Sequence, residues 1–223
     1  MSTAVRAARK AAYERARPEI LEHVPRTATR VLDLGCATGT TGAALKARQP
    51  ATVVGIELDP VYAAEAATRL DEVIVGDAET VEPQGTFDAM IAADVLEHLK
   101  DPWTALRRYA ERLEPGGTAV VSLPNVGHWS TYANLARGTW PRKPEGIFDV
   151  THLRWFMLRD ARELLLQAGL EPQRVTRRGW MLWRGSRLDT LAPPLLHVPV
   201  LRTLVCFQFV LSARRILPGD ARY

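Results

Sequence analysis

Four carboxylates stand at the same kind of place along the first half of the chain. Asp33, Glu57, Asp77 and Asp94 each sit in or just after a short apolar run: VLDL, VVGIE, VIVGD and MIAAD. Behind the first run lies GCATGTTG, a turn of small residues with Gly35, Gly39 and Gly42. Glycines let backbone approach a ligand closely, and a helix start behind them offers unpaired N–H groups to a negative group. A dinucleotide-binding turn wants G-x-G-x-x-G, and Ala37 stands where the second glycine would be, so the turn alone names no ligand. An alanine at that position is expected to keep a negative φ. Glu57 lies twenty-four positions after Asp33, about where a βαβ unit places an acid for ribose hydroxyls. Two histidines have a type suited to proton transfer, imidazole titrating at about 6.5. His152 follows Asp149 by three in DVTH, so a carboxylate could orient its ring, and His128 follows a fifth apolar run, TAVVSLPN (118–125). A satisfied structural histidine is the alternative for each.

These residues need a frame. The alternation of apolar strand-like runs with helical patterns from 30 to 122 predicts a doubly wound α/β fold with a mostly parallel sheet. In such a sheet the C-terminal edge of the strands is the ligand edge, which is where the four acids fall. Residues 2–16 are expected to form a helix ended by Pro18, with a second short helix over 18–23, making 1–25 an N-terminal helical part. ARELLLQAGL (161–170) puts leucines on one helical face and stops at Gly169. Residues 173–178 and 204–213 read as two further strands. Two stretches exceed what a sheet needs. One is 123–157, which carries Trp129, Tyr132, Trp140, Phe148 and Trp155 and is expected to be a lid or acceptor segment. The other, 179–203, is expected to be an excursion packing on the sheet edge or on a second copy of the chain, as in a homodimer.

At 223 residues the chain is long enough for a single α/β domain with a sizeable core. Its formal charge of +4 comes mostly from arginines spread along the chain, which reads as solvated surface rather than a nucleic-acid stripe. Two cysteines, Cys36 and Cys206, make no disulfide framework and fit a reducing, cytoplasmic compartment. The Ala/Arg-rich start lacks the apolar core of a secretory signal, and the longest apolar stretch, around 195–211, is interrupted by His197, Pro199, Arg202 and Gln208, against a transmembrane segment. Asp149 and Asn125 show no metal-ligand spacing, so no metal site is expected.

The ordered series of motifs resembles the class I S-adenosylmethionine-dependent methyltransferases. RPEILEHVP, SLPNVGHW and FDVTHLRWF look more narrowly like a bacterial subgroup linked to natural-product, sugar or cell-surface glycan modification. The resemblance implies a seven-stranded sheet whose last strand runs antiparallel, and S-adenosyl-L-methionine as cofactor. It implies that Gly35, Cys36, Ala37 and Gly39 approach the methionine portion and ribose, with Asp33 beneath them reaching the cofactor amine. Glu57 would take both ribose hydroxyls and Leu58 would pack on adenine. Asp77 would accept from the adenine amino group and the Ala78 N–H would donate to a ring nitrogen. Asp94 and Val95 would line the methyl side, and Tyr13 and Arg17 would close the site. The expected activity is O-methylation of a small-molecule, sugar or natural-product acceptor. His152 or His128 would be the base, and Asp149 would orient it. N-methylation of an amino sugar or amino-acid scaffold, or a catalytically silent partner subunit, stands as the alternative.

Overall fold

A computed structural model describes residues 14–15, 17–179, 192–195, 197–198 and 201–216. Helix α1 (Pro18–Leu21) leads into β1 (Arg30–Leu34), α2 (Thr40–Arg48), β2 (Thr52–Glu57), α3 (Pro60–Ala66) and β3 (Glu72–Val75). The chain then forms β4 (Phe87–Ala93), a 3₁₀ turn at Leu96–His98, α4 (Pro102–Ala110) and β5 (Leu113–Pro124). After α5 (Trp129–Ala136) and α6 (Leu158–Gln167) come β6 (Leu170–Gly179), α7 (Ala192–Leu195), α8 (Arg202–Val205) and β7 (Cys206–Arg215). The helix expected over 2–16 and most of the 179–203 excursion lie outside the described residues.

The strands make one seven-stranded sheet in the order β3-β2-β1-β4-β5-β7-β6. All neighbours are parallel except β7, which runs antiparallel to both β5 and β6. The chain winds from β1 out to β3, then returns to the other side of β1 for β4. The switch point therefore falls between β1 and β4, where an open sheet of this type leaves a crevice at its C-terminal edge.

Both faces of the sheet are buried, as parallel strands require. Val31, Val53, Ala89 and Ile91 point into one core with Ile20, Val24 and Leu45. Leu32, Leu34, Val54, Ile56, Met90 and Ala92 point into the other with Leu106, Tyr109, Leu164 and Phe209. Each such aliphatic side chain contributes about 1.5–3 kcal/mol by leaving water. The helices start where polar side chains meet their first N–H groups. Asp59 accepts from Val61 N at 2.9 Å, and Asp101 from Thr104 N at 3.1 Å. At the opposite sheet edge, Asp88 accepts from the backbone of Thr29 and Arg30 and from the Thr29 hydroxyl, tying the start of β1.

Candidate functional site

Strand β1 ends at Leu34, and the next five residues turn back through left-handed backbone at Gly35 (φ +65°), Ala37 (φ +48°) and Gly39 (φ +78°). Gly35 N and Cys36 N both donate to Ile56 O, at 2.8 and 3.1 Å, which fastens the turn to the end of β2. A Cβ on Gly35 would come within 2.9 Å of Val95 Cγ2, so both the backbone and the space demand glycine. The positive φ of Ala37 corrects the negative value expected from its Cβ. Left-handed backbone costs an alanine about 1–2 kcal/mol. Here the Ala37 N–H is turned onto Glu57 Oε2 at 2.9 Å, a charge-assisted bond that offsets the cost.

The acids differ in how they are held. Asp33 is 2 % exposed, and among the described residues its Oδ2 has no hydrogen-bond partner. Burial, helped by the nearby Glu57 charge, pushes its pKa up to about 7. Glu57 is also pushed up by burial, against the pull of Asp59 N and Ala37 N, which donate to its two oxygens at 2.8 and 2.9 Å. Each oxygen keeps a second lone pair for a hydroxyl. Leu58, next along, is 67 % exposed at the ligand edge, a flat apolar surface with no role in the core. Asp77 caps its own turn through Glu79 N at 2.8 Å, and Ala78 O is fixed by Tyr109 Oη and Arg108 Nη2, both at 2.8 Å.

Asp94 follows β4 at φ +54° and is the most heavily engaged acid. Ser122 Oγ and Gln208 Nε2 donate to it at 2.6 Å, and Arg17 Nη1 at 3.0 Å. Burial alone would raise its pKa, but the Arg17 charge and these donors hold it below the usual carboxylate range. Arg17 also donates to Glu19 at 2.7 Å, and Arg178 meets the same Glu19 oxygen at 2.6 Å. The segment before α1 is thereby roped across the ligand edge, and Val95 packs against the glycine turn. Tyr13 lies outside the described residues.

The histidines depart from expectation. His128 is the N-cap of α5: its Nδ1 accepts from Ser130 N at 3.3 Å, and the ring is 2 % exposed. The His152 ring points its Nδ1 at Ile147 O, 3.3 Å away, so that nitrogen carries the proton. Its pKa is lowered to about 4 by burial and then by His98, well below the 6–7 expected of a base. Asp149 accepts from the Thr151 N–H at 2.8 Å and hydroxyl at 2.7 Å. Through that hydroxyl, 3.0 Å from His98 Nδ1, the carboxylate orients His98. Asn125 is buried among backbone groups, donating to Thr203 O and Cys206 O at 2.8 and 2.7 Å.

The fold thus gathers Asp33, Gly35–Gly39, Glu57, Leu58, Asp77, Ala78, Asp94 and Val95 along one edge of the sheet. Gln208 and Glu97 belong beside them, although no local spacing marked either residue. A nucleoside with an amino-acid tail fits this arrangement. It finds an apolar face at Leu58, acceptors at the ends of β2 and β3, and an orphaned buried carboxyl oxygen on Asp33.

Comparison with known proteins agrees. Residues 5–175 match a family model described as a methyltransferase domain. The chain is 33 % identical over 200 residues to a trans-aconitate 2-methyltransferase of Methylobacterium radiotolerans, covering 85 % of this chain and 67 % of that protein. It is 36 % identical over 105 residues to a ubiquinone biosynthesis O-methyltransferase of Xanthomonas campestris, 43 % of each chain. The fold is similar to that of an S-adenosylmethionine-dependent methyltransferase from Mesorhizobium loti, with TM-score 0.64, 20 % identity, and coverage of 89 % of this chain and 96 % of that one. It is also similar to the N-methyltransferase NodS of Bradyrhizobium japonicum, solved with S-adenosyl-L-homocysteine, at TM-score 0.59, 16 % identity and coverage of 89 % and 84 %.

Proposed function

This chain belongs to the S-adenosylmethionine-dependent methyltransferases, and from that premise we propose that it methylates an oxygen of a small-molecule acceptor. The observation that carries the proposal is the reach of the trans-aconitate 2-methyltransferase match. A match covering 85 % of the chain must run through 123–157, beyond the cofactor motifs and across the acceptor side. The O-methyltransferase of ubiquinone biosynthesis supports the same choice of atom over the shorter region it shares.

S-adenosylmethionine brings a methyl group already activated on a sulfonium. What remains for the chain is to hold the partners in line and exclude water, which can supply about 7–11 kcal/mol of the barrier. In our reading Glu57 accepts the ribose hydroxyls, Asp33 receives the ammonium, Leu58 supports the adenine, and Asp77 with the Ala78 N–H reads its edge. Asp94, fixed by Arg17, Ser122 and Gln208, shapes the methyl side together with Val95. The aromatic segment faces the acceptor, with Trp140 set edge-on to Phe148 and Trp155 at 5.2 and 5.5 Å. Neither His128 nor His152 is poised as a general base. One Nδ1 lone pair is committed to a helix N-terminus, and the other ring is buried with its pKa lowered to about 4, which makes it a weak base.

The test is an acceptor panel. Purified protein is incubated with methyl-labelled S-adenosylmethionine and matched sets of small hydroxyl, carboxylate and amine compounds. Label appearing as a methyl ether or ester supports the proposal. Label on nitrogen alone overturns it in favour of N-methylation.

A further inference from the structure

The turn after β4 and the segment after residue 148 are zipped together. Leu153 N and Arg154 N both donate to Glu97 O, at 2.8 and 3.0 Å. That clamp sets His152 against Glu97, while His98, the next residue in the turn, stacks edge-on to His152 with ring centroids 4.7 Å apart. The Glu97 side chain is 1 % exposed, and among the described residues neither of its carboxyl oxygens has a hydrogen-bond partner. A simple ion pair does not account for this. His152 Nε2 stands 3.9 Å from Glu97 Oε1, too far for a hydrogen bond, and a carboxylate buried without donors is costly.

The tautomers of both rings follow from their partners. His152 Nδ1 faces Ile147 O, which can only accept. His98 Nδ1 faces Thr151 O at 3.2 Å and Thr151 Oγ1 at 3.0 Å. The Thr151 hydroxyl gives its single proton to Asp149 Oδ1, so it too accepts from His98. Each imidazole therefore carries its proton on Nδ1 and its lone pair on Nε2. One ring is oriented by a backbone carbonyl, the other by a carbonyl and an Asp–Thr relay. Metal-binding histidines are held in the same way, the second nitrogen donating to a carbonyl or a carboxylate-linked group.

The geometry points to a divalent transition-metal site of the zinc class, formed by Glu97, His98 and His152, with at least one coordination position left for an oxygen ligand. The three candidate ligand atoms lie within 4.8 Å of one another. Tetrahedral bonds of about 2.0–2.2 Å would bring them to about 3.4 Å, a rotamer adjustment rather than a rebuilding. Two neutral imidazoles and one carboxylate suit zinc, cobalt or ferrous iron, whereas magnesium prefers an all-oxygen shell. No short motif announces the site. Glu97 and His98 come from the turn after β4, and His152 comes from more than fifty residues later. An ion here, close enough to Asp94 for that charge to act on both Glu97 and His152, would give an acceptor oxygen a Lewis-acid contact. That role rests on the O-methylation reading, but binding of the ion does not.

Zn²⁺ alone is titrated by calorimetry into chelator-stripped full-length protein at neutral pH, with Co²⁺ as an optical probe. The expected result is one ion per chain at micromolar affinity or tighter, visible Co²⁺ absorption of a four- or five-coordinate site, and no displacement by excess Mg²⁺. Glu97→Gln and the half-buried His98→Asn should each weaken Zn²⁺ by at least about 100-fold, and Thr151→Val by about 10–100-fold. Unchanged circular dichroism and a cooperative thermal melt report on folding in each variant. The inference is overturned if the intact protein takes up no stoichiometric Zn²⁺, or if folded Glu97→Gln and His98→Asn bind it as tightly as the parent. Zn²⁺ uptake with methyl transfer only to nitrogen would leave the metal site standing and remove the O-methylation reading.

Discussion

A carboxyl held near pH 7 by burial changes how the fold responds to acid and base. Asp33 ionises at its ordinary value in the unfolded chain and at about 7 in the folded one. Between those values the folded state binds more protons, so this group makes the protein less stable as pH rises through that window and has no further effect above it. Asp33→Asn should therefore flatten the fall in melting temperature of the ligand-free protein between pH 5 and 8, while weakening S-adenosylhomocysteine. A variant whose melting curve keeps the parental slope would show that the proton sits elsewhere. Glu57→Ala removes the acceptor we propose for ribose and also releases the Ala37 N–H. Calorimetry should show S-adenosylhomocysteine weakened by about 1–3 kcal/mol. The positions of these two acids were legible because each ends a run of apolar residues. Their partners were not. Gln208 reaches Asp94 from 114 positions away, and Ala37 adopts its φ because of a carboxylate twenty positions downstream. Local rules carry no information about either.

At the scale of elements, the glycine turn is seated on β2 through a single absent methyl group. A Cβ on Gly55 would fall 2.6 Å from Cys36 Sγ and 2.8 Å from Leu70 Cδ1. Gly55→Ala should cost about 1–3 kcal/mol of stability in denaturant melts, and adding Cys36→Ala should return part of it. No return would mean that Leu70, not the turn, feels the change. The aromatic segment makes a separate claim. Trp155 is 44 % exposed beside Trp140, and little of the core depends on it. Trp155→Ala is expected to raise KM for the methyl acceptor with S-adenosylhomocysteine affinity held. A loss of cofactor binding in the folded variant would assign the segment to the wrong ligand. Element order was readable from the alternation of apolar runs, since buried parallel strands leave an unmistakable pattern. The helix over 18–23 proved to be Pro18–Leu21, because the last residues instead enter a turn toward Pro25. The pairing expected between Asp149 and His152 gives way for a tertiary reason: DVTH places Asp149 near the histidine in sequence, but Thr151 takes up its carboxylate and links it to His98.

At the scale of the whole molecule, the sheet is not built in the order in which it is written. Strand β6 has one neighbour, and that neighbour is β7, the last strand of the sheet in chain order. Gln208 of the same strand holds Asp94, and the carbonyls of Cys206 at its start and of Thr203 in the helix before it hold Asn125. A chain ended at residue 200 should therefore lose more than an edge. It is expected to expose apolar surface to a hydrophobic dye and to bind no S-adenosylhomocysteine, and retained binding would show that β1–β5 assemble the site unaided. During synthesis the consequence is temporal. Strands leave the ribosome at about 5–20 residues per second. For those seconds β5 and β6 both present unpaired backbone to the surroundings, and Asp94 lacks one of its donors. The nascent chain is thus a poor ligand binder and a good client for a chaperone, and both conditions end together when one strand slides between two waiting edges.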